Sequence, residues 1–305
     1  LSVIANVSTL GFFKYYNFFA DNLNAVGQIV IGNSTLPILN IALPIGLSFH
    51  TFQAMSYTIE VYRGTQKAER HFGIYSLYVM FFPQLVAGPI ERPQNLIHQF
   101  RESHSFESQN VTSGINLILW GLFKKLVVAD HLCGLVDQVY SHPLGASGWQ
   151  LLIATYFFSF QIYADFSGYS DIARGTARIL GFDLIVNFRT PYFAQSLHEF
   201  WRRWHISLST WFKDYLYLPL GGKNHRARNL LFVFVISGFW HGANWTYVAW
   251  GAYHGALLIL QSHFPKYHNW PISPTAVLLR LFLNFHIITM GWIFFRAKSL
   301  SDAGN

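Results

Sequence analysis

Between Arg228 and Lys266 the chain runs for thirty-seven residues without an Asp, Glu, Lys or Arg. As one helix, that run would extend about 55 Å at helical rise, nearly twice the hydrocarbon thickness of a bilayer. It must bend or split. The weakest helix formers in its middle are Gly242 and Asn244, within FWHGANW at 239–245. His241 stands at that predicted break, with twelve residues between it and Arg228. At helical rise this is a depth of about 18 Å, near the bilayer midplane. An ionisable group so deep is costly and marks a functional site; the structural alternative is a neutral imidazole hydrogen-bonded to a neighbouring helix.

Other uncharged runs mark further membrane elements. Residues 1–13 read as the tail of a span. Residues 22–59 carry no charge but contain Asn33, Pro37 and Pro44, which predicts a re-entrant or kinked hairpin and not one helix. Residues 71–90 predict a span closing on Gly88-Pro89. Residues 108–123 predict another that continues through Lys124 and Lys125, whose long side chains are expected to snorkel. Residues 138–164 are uncharged up to Asp165, and 281–295 form a last span closed by Arg296. Stretches rich in Gly, Pro and His at 141–148 and 264–274 read as loops. The total is seven or eight membrane elements in a single domain, residues 1–305.

Residues 197–222 follow a different rule. Phe200, Trp204, Leu208, Trp211 and Tyr215 recur at steps of three and four, the stripe of an amphipathic helix, with Arg202, Arg203 and Lys213 toward water. Such a helix lies in the membrane interface. His205, next to Trp204, falls on or near its buried face, where an imidazole serves packing as readily as chemistry.

Composition sharpens this picture. Charged residues are 11% of the chain and aromatic ones 18%, with mean hydropathy +0.26. A soluble domain carries about 25% charged residues, so the chain falls in the membrane class. The modest hydropathy points to short, broken or interfacial helices among true spans. The net charge of +7 fits anchoring by basic loops and contact with anionic lipid. Nucleic-acid binding is disfavoured because the basic residues are scattered between apolar runs. The single cysteine, Cys133, rules out an internal disulfide or a cysteine-pair metal site. The absence of an initial methionine, and a C-terminus just after an apolar run, suggest a fragment truncated at both ends.

The sequence holds no G-x-S-x-G elbow, P-loop, GxGxxG or H-E-x-x-H. His254 follows His241 by thirteen positions, about 20 Å along one helix, too far for one iron. No metal site is expected, although a haem held by histidines of two helices stays open, as does a transporter. An imidazole titrates near neutral pH and suits general-base work. It can take a proton from an alcohol as that oxygen attacks an activated acyl group, in a cavity that keeps water from the donor. DFSGYSD at 165–171 reads either as a polar gate, with Asp165 or Tyr169 lining a cavity, or as a helix start capped by Ser167 or Ser170.

Five ordered motifs carry a resemblance: SFHTFQAMSYTIEVYRG at 48–64, FFPQLVAGPIERP at 81–93, DFSGYSDIARG at 165–175, FWRRWHISLSTWFKDYLYLPLGG at 200–222 and WHGANW at 240–245. Together they resemble the membrane-bound O-acyltransferase superfamily, in its bacterial alginate O-acetyltransferase-like branch. The D-alanyl transferases of teichoic acid synthesis share the RRWH, DFSGY and WHG elements. The resemblance implies an all-α, multipass bundle in the bacterial inner membrane, with broken or re-entrant and interfacial helices around a central cavity. It implies an enzyme that moves an acyl group, most simply acetyl, onto hydroxyls of an exported polysaccharide. It maps the catalytic histidine onto His241 and a second polar position onto His205. Trp240, Asn244, Asp165, Tyr169 and Arg202 are the expected substrate contacts. No bound cofactor is implied. The co-substrate would be acetyl-CoA or another activated acyl donor, and the partners membrane lipid, the polymer and periplasmic or membrane acetyl-transfer proteins.

The basic cluster Lys223, Arg226 and Arg228 is expected on the cytoplasmic side, since short basic loops resist translocation. A cysteine introduced at Asn224 should therefore react with a membrane-impermeant maleimide only after the inner membrane is opened. Labelling in intact spheroplasts would reverse the orientation.

Overall fold

A computed structural model describes residues 1–32, 36–85, 88–263 and 273–304. Asn33, positions 86–87 of the FFPQLVAGPIERP motif, and all of the expected 264–274 loop except Ser273 and Pro274 lie outside them. Every regular element among the described residues is helical. In order they are α1 (Ser2–Leu10), α2 (Tyr16–Ile31), α3 (Leu47–Tyr62), α4 (Phe72–Met80), α5 (Pro93–Leu96), α6 (Ser108–Leu122), α7 (Asp130–Tyr140) and α8 (Gly148–Ile179). There follow α9 (Leu197–Arg203), α10 (Ile206–Phe212), α11 (Arg226–His241), α12 (Trp245–His263), α13 (Pro274–Arg296) and α14 (Leu300–Gly304). Wider π-helical turns at Gly11–Tyr15 and Phe123–Ala129 accommodate an extra residue within otherwise continuous helix, and a third at Lys213–Tyr217 closes α10.

The predicted break at HGAN is present. Helix α11 ends at His241, Gly242 is extended, and α12 begins at Trp245. The two halves fold back on each other at backbone contact. A Cβ on Gly238 would collide with the carbonyl of Tyr247, and one on Gly251 with that of Phe234. A similar contact joins α6 to α8. There a Cβ on Gly121 would lie 2.6 Å from the Gly168 carbonyl, and one on Gly114 2.7 Å from that of Gly175. Small residues at such crossings allow dense helix packing where no hydrophobic force distinguishes helix from lipid.

Several expectations need correction. The helix expected to end near residue 13 continues, because α1 runs through the first π-helical turn into α2, which ends only at Ile31. Residues 36–44 return without helix. Asn24 bonds both backbone groups of Leu36 (2.8 and 3.0 Å), and Asn17 does the same for Leu39 (2.8 and 3.0 Å). Those amides supply partners that a proline-bearing segment cannot make internally. The span expected at 71–90 is only the nine-residue α4, about 13 Å long; it stops at Met80, where Phe81 leaves helical geometry ahead of Pro83.

Residues 108–140 do form one continuous helical run, but its lysines do not snorkel. Lys124 pairs with Asp171 of α8 at 2.6 Å and Ser167 at 3.0 Å; Lys125 pairs with Asp130 at 2.7 Å and Asp165 at 2.8 Å. DFSGYSD is not a helix start capped by Ser167 or Ser170, for α8 passes through it unbroken from Gly148 to Ile179.

The amphipathic stripe at 200–215 is buried throughout, yet no single helix carries it. The chain breaks at Trp204-His205, where His205 adopts left-handed geometry (φ 43°, ψ 56°). Phe200 and Trp204 join a core with Trp250 and Trp292, whereas Leu208, Trp211 and Tyr215 join another with Phe52 and Trp240.

Two described runs, Ser108–Tyr140 and Pro274–Arg296, are long and apolar enough to cross a membrane. Of the two halves of the broken run, α11, with sixteen residues, reaches only about 24 Å.

Glycine at the hairpin contact should be indispensable. Gly238→Ala is expected to cost about 1–3 kcal/mol or more through overpacking, seen as loss of monodisperse protein in detergent. Gly134→Ala, which meets nothing within 4 Å, should be neutral or stabilising by up to about 1 kcal/mol.

Candidate active site

The two helix breaks face one another. His241 closes α11, and its ring centroid lies 6.5 Å from that of His205. Both line a cavity of about 310 Å³ together with Trp204, Trp240, Trp250, Trp292, Phe166 and Phe295. Lys14 and Ser48 add polar groups to the same wall. The His241 ring is seated against the edges and faces of Trp240 (4.9 Å), Trp250 (5.3 Å) and Phe295 (5.2 Å). A site of this kind combines an apolar, water-poor interior with a few convergent polar groups.

His205 is held in an unfavourable backbone state by its neighbours. Its αL geometry costs of order 1–3 kcal/mol for a residue with a Cβ, and such strain clusters at functional sites. Asn187 offsets it. The Asn187 carbonyl accepts Ile206 N–H at 2.9 Å, its Oδ1 accepts Ser207 N–H at 3.1 Å, and its Nδ2 donates to Ser170 Oγ at 3.2 Å. Asn187 thus satisfies donors at the start of α10 that the break would orphan. Phe166 meets the His205 ring edge-on at 4.5 Å. Nε2 of His205 is buried with no hydrogen-bond partner among the described residues, a state that a polar ligand would relieve.

Of the residues expected to touch substrate, Trp240 lines the cavity and the others do not. Asp165 pairs with Lys125, and Tyr169 lies under the same ammonium at 5.5 Å. Both sit on α8 against the 108–140 run, because the unbroken helix carries them past the site. Arg202 is exposed on α9. Asn244 acts as a cap for α12, accepting Thr246 N–H at 3.0 Å and donating to the Lys298 carbonyl at 3.1 Å.

Lys14 and Trp292 line the cavity without having stood out in the sequence. Lys14 comes from the opposite end of the chain and donates to the Trp240 carbonyl and to Ser48 Oγ at 3.3 Å. Trp292 arrives on α13. His254 lies behind Trp250 (5.2 Å), enclosed by Trp201 and Tyr253, with neither ring nitrogen hydrogen-bonded among the described residues. Gly291 leaves room for it, since a Cβ there would overlap the imidazole. A lone lysine inside an apolar run, at GFFKYY, was the available signal for Lys14. Among the described residues no three or more His, Cys, Asp or Glu side chains gather as a metal site.

Comparison with known proteins places this geometry in a family. The sequence model described as the membrane-bound O-acyltransferase family, MBOAT, matches residues 71–296. The chain belongs to that family. It is 39% identical to a probable alginate O-acetylase of Azotobacter vinelandii, over 99% of this chain and 60% of the relative. It is 38% identical to a peptidoglycan O-acetyltransferase of Helicobacter pylori, over 99% of this chain and 62% of the relative. A teichoic acid D-alanyltransferase of Bacillus subtilis is 26% identical over 86% of this chain. The chain spans about 60% of the length of the alginate and peptidoglycan relatives. The family match begins at residue 71, so Lys14 and Ser48 lie outside the matched region while His205 and His241 lie within it.

The capping role of Asn244 is separable from chemistry. Asn244→Ala should lower thermal stability by about 1 kcal/mol and leave the KM for the acyl donor unchanged. A donor KM raised tenfold, at unaltered melting temperature, would return Asn244 to the substrate site.

Proposed function

We propose that this chain forms the catalytic part of a multipass O-acetyltransferase of the bacterial inner membrane, acting on hydroxyls of an exported polysaccharide with His241 as general base. The observation that carries the reading is the pairing of His241 with His205 across one aromatic cavity, in a family member resembling polysaccharide O-acetylases. In this reading residues 1–305 act as one membrane domain, with the break at His241 within the bilayer and the 197–222 segment at its interface.

The chemistry follows from the groups present. An acceptor hydroxyl enters beside His241, which takes its proton as the oxygen attacks the carbonyl carbon of an activated acyl donor. The tetrahedral intermediate collapses with cleavage of the bond to the leaving group, and that group leaves with the proton returned by His241. His205, whose Nε2 lacks a partner, holds the acyl carbonyl or the incoming hydroxyl. The enclosing Trp and Phe side chains exclude water that would otherwise consume the donor. The donor is acetyl-CoA or another acetyl carrier, supplied from the cytoplasm and used as co-substrate. The acceptor, with proteins that relay acetyl groups, lies outside. A base part-way through the membrane serves both supplies.

D-Alanyl transfer is the second reading, carried by the teichoic acid relative at lower identity. A haem or transport role would appear as visible absorbance of the purified protein, or as activity without acyl transfer.

Replacing His241 with Ala should lower transfer by about 10²–10⁴-fold, the usual contribution of a positioned acid–base group. Alkali-released acetate from the polymer measures it, at unchanged protein level in the membrane. Near-normal acetylation in a well-expressed His241→Ala strain would refute the assignment.

A further inference from the structure

The break that presents His241 leaves the last carbonyls of α11 without helical partners, a deficit every helix C-terminus must satisfy elsewhere. Two of them are taken by the N-terminal π-helical turn Gly11–Tyr15. Lys14 Nζ donates to the Trp240 carbonyl, and the Tyr15 hydroxyl donates to the Phe239 carbonyl at 3.1 Å. A cation at that position also complements the negative end of the helix dipole. The Tyr15 ring stacks on Phe239 at 4.3 Å, and Phe18 packs on Phe239 at 5.3 Å.

The same segment reaches the far side of the break. Phe18 packs against Trp245 at 5.5 Å, and the Trp245 indole donates to Asn22 Oδ1 at 2.9 Å. Residues 14–22 therefore grip both ends of the Trp240–Trp245 interruption like a splint. The π-helical turn has a local consequence, since its extra residue changes the helical phase between Leu10 and Tyr16. Ser48, at the start of α3, accepts a second Lys14 N–H, so two of the three ammonium donors are fixed by protein.

We propose that Lys14 is a positioning residue for His241: with Tyr15 it clamps the C-terminal carbonyls of α11 and so fixes where the imidazole stands in the cavity. The site thereby extends into a segment that precedes the family-matched region. The proposal rests on His241 being the general base. Displacing a catalytic group by an ångström costs on the order of 100-fold in rate, so loss of the clamp acts on kcat. Lys14 meets neither partner of the transfer in this role, so the donor KM should move little.

The test uses the full-length enzyme in membranes, with Lys14→Met, Lys14→Arg, His241→Ala and the Lys14→Met/His241→Ala pair. Lys14→Met should lower kcat by about 10–100-fold with donor KM within about twofold, and Lys14→Arg should restore part of it. In the His241→Ala background Lys14→Met should have no further effect, because the residue acts through His241. An activity-independent readout accompanies these: carbethoxylation of His241 by diethylpyrocarbonate, followed by mass spectrometry and referenced to exposed His71. Its rate should change several-fold in Lys14→Met. An unchanged modification rate overturns the clamp even if activity falls. A normal kcat in Lys14→Met, or an additive loss in the double variant, overturns it as well. Retained activity in His241→Ala would refute the general-base reading instead, leaving the modification rate to judge the clamp.

Discussion

Backbone contact between α11 and α12 is the constraint on which the site depends. Two helices of sixteen and nineteen residues, joined by three, fold back so closely that Gly238 and Gly251 each lie against the other helix's carbonyls. Gly255 continues the seam, where a Cβ would stand 3.1 Å from Leu231 Cα. Because side chains are absent along this seam, the bulky ones project away from it. Trp240 and His241 from one helix, and Trp250 and His254 from the other, are thereby turned toward a shared interior. Gly242 serves the same end differently. Its backbone is extended, and a side chain there would overlap the Tyr247 ring.

The second wall arises from strain and not from tight packing. Helices α9 and α10 would form one amphipathic rod if propensity alone decided, and the left-handed His205 prevents it. The break divides the aromatic stripe between two cores and turns the histidine toward His241. Asn187 stabilises this arrangement by replacing the hydrogen bonds that an unbroken helix would have made itself. Its own anchor, Ser170, sits in the middle of α8, so the DFSGYSD segment braces the cavity from behind through Ser170 and lines it only through Phe166.

Charges within the apolar runs are handled by pairing. Lys124 and Lys125 meet carboxylates on α8 and α7, and Lys14 meets a helix end. In each case the partner is a group that would itself be costly to leave unsatisfied in a low-dielectric setting. Cation and acceptor are mutually compensating, and the helices that carry them are tied together as a result.

The run of uncharged residues and the weak helix formers inside it were enough to locate the break at HGAN and to single out His241, because both are local properties of backbone and side chain. The regular periodicity at 200–215 was likewise legible, and its residues are buried as it implied. Its interruption was not, since the forces that hold His205 left-handed come from Asn187 and Ser170, outside that segment. The same limit applies to Lys14, which meets Trp240 across 226 positions of chain, and to Lys124 and Lys125, whose snorkelling was expected only because Asp165 and Asp171 stood forty or more residues away. Asparagines 17 and 24 looked like ordinary helix residues until the irregular return of 36–39 was laid beside them. Sequence alone determined which segments avoid water, where one must break and which imidazole stands at the break, since those follow from transfer free energy and backbone propensity. Which groups face that imidazole depends on pairings between distant segments, whose cost and gain exist only once the helices have packed.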